Sequence, residues 1–405
     1  MKRWLAALLL ASLSLDPAVA QSWDFEQAID VSSELPEGAF QHLDASGRRS
    51  IAVGENTVGV VWEDDRDGTP RVYFAYKDFT ASQFSQALRI SGADEAYEPG
   101  LVALSDQRYA LVWEENGGIW IRLLSIQGGV ELGPAQRLDP AESAQGSVVA
   151  DGDNLLVLRS ERDGSFTRIR LQTLRANGLV TSRQTDCPVD AEAPTDDQLY
   201  PTAAWVQGRL VVAWEDRRPK HTIIMAATQQ ESGKCLFTPP RRISEKPPGG
   251  NLPYGTGHGV SRVALNPVGR DGAFAAWADK RSFRNGYDIW GAPFRAETSA
   301  FAKNVRVQDD FGGLAKQRHA AVAGHPDGSL VVAWDDDREG NTDLMLSVFE
   351  GEGFSDDWPV PVASGAGEQT HPAVAFDQAG NLHLIWIARD RIGAPSRIRY
   401  ALGKR

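Results

Sequence analysis

Seven side chains near the middle of this 405-residue chain are of types that grip an anion or a sugar: Tyr200, Arg217, His221, Tyr254, His258, Lys280 and Arg284. A guanidinium fork pairs with a carboxylate through parallel N–H donors, and aromatic rings stack on sugar faces, so the set suits an acidic glycan. The same residue types suit a polysaccharide lyase. A cation such as Arg217 would neutralise a uronate carboxylate, while Tyr200 and His258 would move protons. A glycosidase would instead need two carboxylates about 5–9 Å apart, and the chain has too many acidic residues for spacing to select a pair. A second set, Glu98, His319 and His371, shares one position, each 15 residues ahead of a Trp. A metal would need three or four ligands converging within ~2.0–2.2 Å of one point, which spacing does not establish, so polar lining is the expectation and no metal or cofactor is expected.

These residues are positioned by a repeat. An apolar run ending in Trp recurs at Trp62, Trp113, Trp214, Trp277, Trp334 and Trp386, and Leu158 stands in the same place in a seventh copy. The intervals of 45 to 63 residues are close to the ~50 of kelch-type blades. Each unit reads as four strands: in the last, residues 372–376, 382–386 and 396–400 are the first three. The second strands are apolar on both faces, as expected where neighbouring sheets cover both. The fold expected is all-β, a seven-bladed β-propeller of four-stranded antiparallel blades. The last repeat ends after its third strand, and Ala28 to Ser33 reads like a fourth strand, so the N-terminal segment is expected to close the ring in blade 7.

In such a meander the loops leading into first strands and the loops after the Trp strands open on one face, and first strands line the axial channel. Glu98, His319 and His371 therefore fall at the channel mouth. Blades 4 and 5 depart most from the repeat, and their long loops carry the glycan-binding candidates.

An Asp two residues after the Trp position (Asp64, Asp216, Asp279, Asp336) and an Arg four after it (Arg66, Arg162, Arg218, Arg281, Arg338) recur around the ring. Groups repeated in most blades are expected to be scaffold: Trp between sheets, carboxylate and guanidinium satisfying each other at the strand end. The stretch Asp335 to Asp343 is rich in oxygen ligands, but an Arg interrupts the alternation of a calcium loop, and structural calcium is not favoured.

The recurring Trp-x-Asp-x-Arg-x-Gly stretches, followed by strands such as Asp-Ile-Trp290 and Asp-Leu-Met345, resemble the sialidase-like, BNR-repeat type of β-propeller over essentially the whole mature chain. True sialidases carry a Ser-x-Asp-x-Gly-x-x-Trp box and an Arg-Ile-Pro motif and have six blades. Neither motif stands in this chain, so no sialidase catalytic residue is carried onto it. What the resemblance implies is the fold.

Residues 1–20, with Lys2-Arg3, an apolar stretch and Ala18-Val19-Ala20, have the three regions of a secretory signal peptide, leaving 21–405 as a single propeller domain. No Cys follows the cleavage point to carry a lipid, and no membrane insertion is expected. A periplasmic or extracellular monomer is the expectation. The formal charge of −12 argues against nucleic acid. The partners expected are a glycan or an envelope protein, bound by a non-catalytic module, with a carbohydrate-active enzyme (lyase or glycosidase) as the alternative. An oxidising compartment allows Cys187 and Cys235 to bridge, although they sit near opposite ends of adjacent blades unless residues 187–199 fold back.

Overall fold

The computed structural model describes residues 23–32, 35, 38–105, 107–192, 194–245, 259–281, 286–351, 353–391 and 393–405. The leader at 1–20 lies outside the described residues, as do Tyr254, His258 and Arg284. The rest forms seven small antiparallel sheets, with helical structure limited to two three-residue 3-10 turns among the described residues. The all-β, seven-bladed propeller read from the repeat is what is found.

Blade 6 shows the common plan. Gln317–Gly324 is its first strand, Leu330–Asp336 its second, Asp343–Val348 its third and Trp358–Pro359 its fourth. Fourth strands are only two-residue pairings in most blades. Blade 3 differs, with a nine-residue Val180–Pro188 against a twelve-residue Phe166–Asn177. Closure occurs in blade 7: Asp24 pairs with Lys404 and Ile29 with Tyr400, so the N-terminal segment supplies the outer strands against Arg397–Lys404.

The core is divided. Seven apolar clusters each occupy a junction between adjacent blades, because each sheet is buried on both faces by its neighbours. The repeated Trp side chains are wholly buried in these junctions. Burial of each ring contributes on the order of a few kcal/mol. The expected scaffold role of the repeat is visible at four indoles: Trp62 Nε1 donates to Asp64 Oδ2 at 3.1 Å, Trp214 Nε1 to Asp216 at 3.2 Å, Trp277 Nε1 to Asp279 at 2.9 Å and Trp334 Nε1 to Asp336 at 3.2 Å, while Trp113 donates to Glu115 and Trp386 to Gln369. Arg66, Arg218, Arg281 and Arg338 then close on the same Asp at 2.6–2.7 Å.

Blade 3 solves the problem differently. Leu158 replaces the Trp, and the next residue, Arg159, is fully buried with Asp139, Glu161 and Asp186 all within 3.1 Å of its guanidinium. Its neighbour Arg162 bonds the Gly164 carbonyl instead of a repeat Asp.

Cys187 and Cys235 are joined in a disulfide, with Cα atoms 5.9 Å apart. Cys187 lies within the long fourth strand of blade 3, opposite Leu171. Cys235 lies between the third and fourth strands of blade 4. The extended outer strand of blade 3 therefore reaches the outer hairpin of blade 4, and no fold-back of residues 187–199 is needed.

Candidate functional site at the channel mouth

In six blades the first strand carries the same irregularity near its start. In blade 6, Arg318 pairs with Asp335 and Ala321 with Ala333, so three steps on one strand oppose two on the other. This is a β-bulge. The same shift occurs at Tyr97/Gly100, Ala144/Ser147, Leu199/Thr202, Ser261/Ala264 and Thr370/Ala373. The residue inside each bulge takes a left-handed backbone: Glu98, Gln145, Tyr200, Arg262, His319 and His371, all with φ between 43° and 59°. A non-glycine residue in that region costs on the order of 1 kcal/mol and is over-represented at functional sites.

Blade 1 has enlarged the bulge into an insertion. His42 pairs with Glu63 and Ile51 with Val60, and the eight residues between them leave the sheet. Their 3-10 turn, Ser46–Arg48, crosses the axis and packs on the first strands of blades 2 to 6. Gly47 is required there: a Cβ would lie 2.2 Å from Thr202 Oγ1, and its φ of 70° suits glycine. Arg49 reaches beyond it to the carbonyls of Ala203 in blade 4 and Leu265 in blade 5. Burial lowers the Arg49 pKa to about 10. Arg48, the left-handed residue of this blade with φ 57°, completes a ring of one side chain per blade.

Carboxylates immediately after the Trp position tie the ring together. Glu114 Oε1 accepts the Gln145 backbone N–H at 2.5 Å, Glu215 Oε1 that of Arg262 at 2.6 Å, and Asp335 Oδ2 that of His371 at 2.9 Å. The Glu63 carboxylate accepts from the Glu98 backbone. In blade 3, where Arg159 occupies the position, Gln145 Oε1 receives the Tyr200 N–H instead, at 2.9 Å. Each link spans two adjacent blades.

Charge is concentrated here. Asp44, Glu63, Glu98, Glu114, Glu215 and Asp335 face Arg48 and Arg262. Burial, reinforced by the Asp44 charge, pushes Glu63 up to about 7. Burial and the Glu98 charge do the same to Glu114, also to about 7. Burial raises Glu98 and Glu215 too, with Arg262 opposing both shifts. Asp335 is the reverse case: burial would raise it, but His319 and His371 together outweigh that and hold it below its ordinary value. Burial, the neighbouring His319 and Arg48 keep His371 well below the usual imidazole range.

Much hydrogen-bonding capacity is unused. Nε, Nη1 and Nη2 of Arg48 are buried without a hydrogen-bond acceptor, and the nearest counter-charge is Asp44 Oδ1 at 3.5 Å. Arg262 Nη1 and Glu98 Oε2 are likewise unpartnered, and Arg262 Nη1 approaches Glu98 Oε1 only to 3.5 Å. Arg262 stacks on the Tyr200 ring at 3.7 Å. The His319 and His371 rings stack with centroids 3.7 Å apart, and His319 Nδ1 is 2.5 Å from Asp335 Oδ2. Buried donors and acceptors of this kind are normally satisfied, by water if not by protein, and are available to a ligand.

The structure thus brings Glu98, His319 and His371 into one ring and adds Tyr200 to it. Arg217 and His221 lie elsewhere, in a rim depression of blade 4 shared with Asp196, Asp197, Lys220 and Thr222. Lys220 is paired with Asp196 at 2.6 Å. Lys280 lies with its ammonium 5.6 Å from the Tyr287 ring on blade 5. Within the calcium-like stretch, Asp335, Asp336, Asp337 and Asp343 serve four separate partners: His319, Arg338, the Lys316 N–H and the Gly365 N–H. Arg48, Gln145 and Arg262 were not singled out from sequence, although Arg262 stands 15 residues before its repeat position, as Glu98 does, and Gln145 stands 13 before its own. Nor were Glu63, Glu114 and Glu215, and Asp335 was noted only as part of the calcium-like stretch. Their signal was alternation: a side chain one residue after a Trp faces away from it.

No protein-family description matches the chain, and no curated protein matches it. Among solved structures, it is similar to a protein of unknown function from Dyadobacter fermentans, at 9% identity with a TM-score of 0.52, covering 95% of this chain and 99% of that one. It is also similar to the phage phi92 endosialidase, at 10% identity and TM-score 0.52, over 94% of this chain and 69% of that one. A Penicillium chrysogenum alpha-L-arabinanase complexed with arabinobiose aligns at 10% identity and TM-score 0.49, over 94% and 98%. At these identities the likeness is one of fold, and the β-propeller resemblance read from the repeat stands at that level.

Proposed function

We propose that the protein is an exported propeller that recognises carbohydrate, and that the ligand seats over the channel mouth. The observation that carries this reading is the unused hydrogen-bonding capacity of Arg48, Glu98 and Arg262 beside an aromatic ring, Tyr200, in a ring held rigid by bulges. Sugar hydroxyls both donate and accept, and such a mouth offers them both kinds of partner. The excess of carboxylates favours a neutral sugar at the mouth over an acidic one. An endosialidase stands among the similar structures, which is compatible with this reading. Glycan-array binding tests it: Glu98→Ala with Arg262→Ala should abolish the signal, while Arg217→Ala with His221→Ala should not. The opposite pattern would move the site to the blade 4 rim.

Hydrolysis is the second reading, favoured by Glu63 and Glu114, which hold a proton up to about pH 7 within a cluster of carboxylates. Reducing ends released from a polysaccharide by the wild type, but not by Glu63→Gln or Glu114→Gln proteins that still bind it, would establish an enzyme. Binding without product would leave a recognition module.

A further inference from the structure

We propose that His319, His371 and Asp335 form a binding site for a divalent transition-metal ion, Zn²⁺ or a first-row neighbour, at the channel mouth. The inference is independent of the carbohydrate reading. His319 and His371 occupy equivalent bulges of adjacent blades, and Asp335 lies at the end of the second strand between them. Each residue offers one ligand atom, and these atoms all lie within 4.8 Å of one another. Two imidazoles and one carboxylate suit Zn²⁺, Co²⁺, Ni²⁺ or Cu²⁺, whereas Ca²⁺ and Mg²⁺ prefer oxygen throughout.

Three details of the packing point the same way. His371 Nδ1 is buried and has no partner, although a buried imidazole nitrogen ordinarily finds one. The bulges bring the two rings together face to face at 3.7 Å. The Asp335 carboxylate is oriented by the His371 backbone N–H at 2.9 Å, an outer contact of the kind that fixes a ligand in place. His319 Nδ1 and Asp335 Oδ2, at 2.5 Å, are closer than the roughly 3 Å between two atoms bound to one ion at ~2.0–2.2 Å. Binding therefore replaces this contact and opens the pair by under about an ångström. Both histidine side chains are about 25% exposed, which leaves solvent or a ligand access to a further coordination position. Asp44, 3.8 Å from His371 Nε2, attracts a cation, and the Arg48 guanidinium paired with it opposes that attraction.

The test is calorimetric titration of untagged, chelator-stripped full-length mature protein with ZnCl₂, and with CoCl₂ for its visible absorption. One equivalent of Zn²⁺ should bind. His319→Ala and His371→Ala should each weaken binding by roughly tenfold or more. His325→Ala, on the opposite face with its own Asp327 partner, should leave it unchanged. Asp335→Asn risks misfolding because the residue is fully buried, so the histidine variants, with melting curves like the wild type, decide the matter. No uptake by the wild type, or undiminished uptake by the His319→Ala/His371→Ala double variant, overturns the proposal.

Discussion

The backbone N–H of His371 in blade 7 donates to the side chain of Asp335 in blade 6, at 2.9 Å. A carboxylate on one blade thereby holds a left-handed residue on the next, and the arrangement recurs at Glu114 with Gln145 and at Glu215 with Arg262. Removing the acceptor leaves a buried N–H unpaired, at a cost of about 1–3 kcal/mol. Glu215→Ala should lower stability by about that amount in urea unfolding, and the Arg262 amide should lose hydrogen-exchange protection. An unchanged exchange rate at Arg262 would show that the link does not hold the bulge.

Glu63 and Glu114 supply a pH dependence with a definite sign. Their folded-state pKa values, about 7 against 4.5 ordinarily, mean that the folded protein holds protons that the unfolded chain releases. Their contribution to stability is present below about 4.5 and is lost as pH rises through about 7. Between pH 5 and 8 the wild type should therefore lose more stability than Glu63→Gln/Glu114→Gln, whose amides do not titrate. Parallel pH profiles for the two proteins would contradict the assignment.

The disulfide closes 48 residues across blades 3 and 4. By chain entropy such a loop contributes up to about 4 kcal/mol. Cys187→Ser/Cys235→Ser should unfold at lower denaturant concentration than the wild type, and dithiothreitol should have no further effect on it. Equal midpoints would show that the bridge is energetically idle.

Ring closure rests on a short segment. Trp23 is buried between blades 6 and 7, and its indole donates to the Gly380 carbonyl at 3.0 Å. Trp23→Ala should cost about 3–5 kcal/mol, as for other buried large-to-small changes. Deletion of residues 21–31 exposes the Arg397–Lys404 edge and should give aggregation on size exclusion. A soluble, monomeric deletion protein would mean that blade 7 stands without its outer strands.

The blades were legible because a repeat is a periodic signal: the Trp positions, their Asp and Arg companions and the closing strand at Ile29 could all be counted. Glu98, His319 and His371 were found at the mouth by the same counting. The long loops of blades 4 and 5 drew attention to Arg217 and His221 because insertions are conspicuous in a sequence. Arg48 was missed because its blade breaks the count, with eight residues between the flanking strand pairs where the other blades have two. Glu63, Glu114 and Glu215 were hidden among abundant acidic residues, and only the pairing of strands shows that they converge. Convergence across blades is a tertiary fact, and a lone carboxylate carries no mark of it.

The turn at Ser46–Arg48 has a further consequence. With Arg49 anchored on blades 4 and 5 behind it, the axis of the ring is a blind socket and not a tunnel. On the carbohydrate reading proposed above, a polymer would therefore lie across the opening or insert one end, and would not thread through the ring.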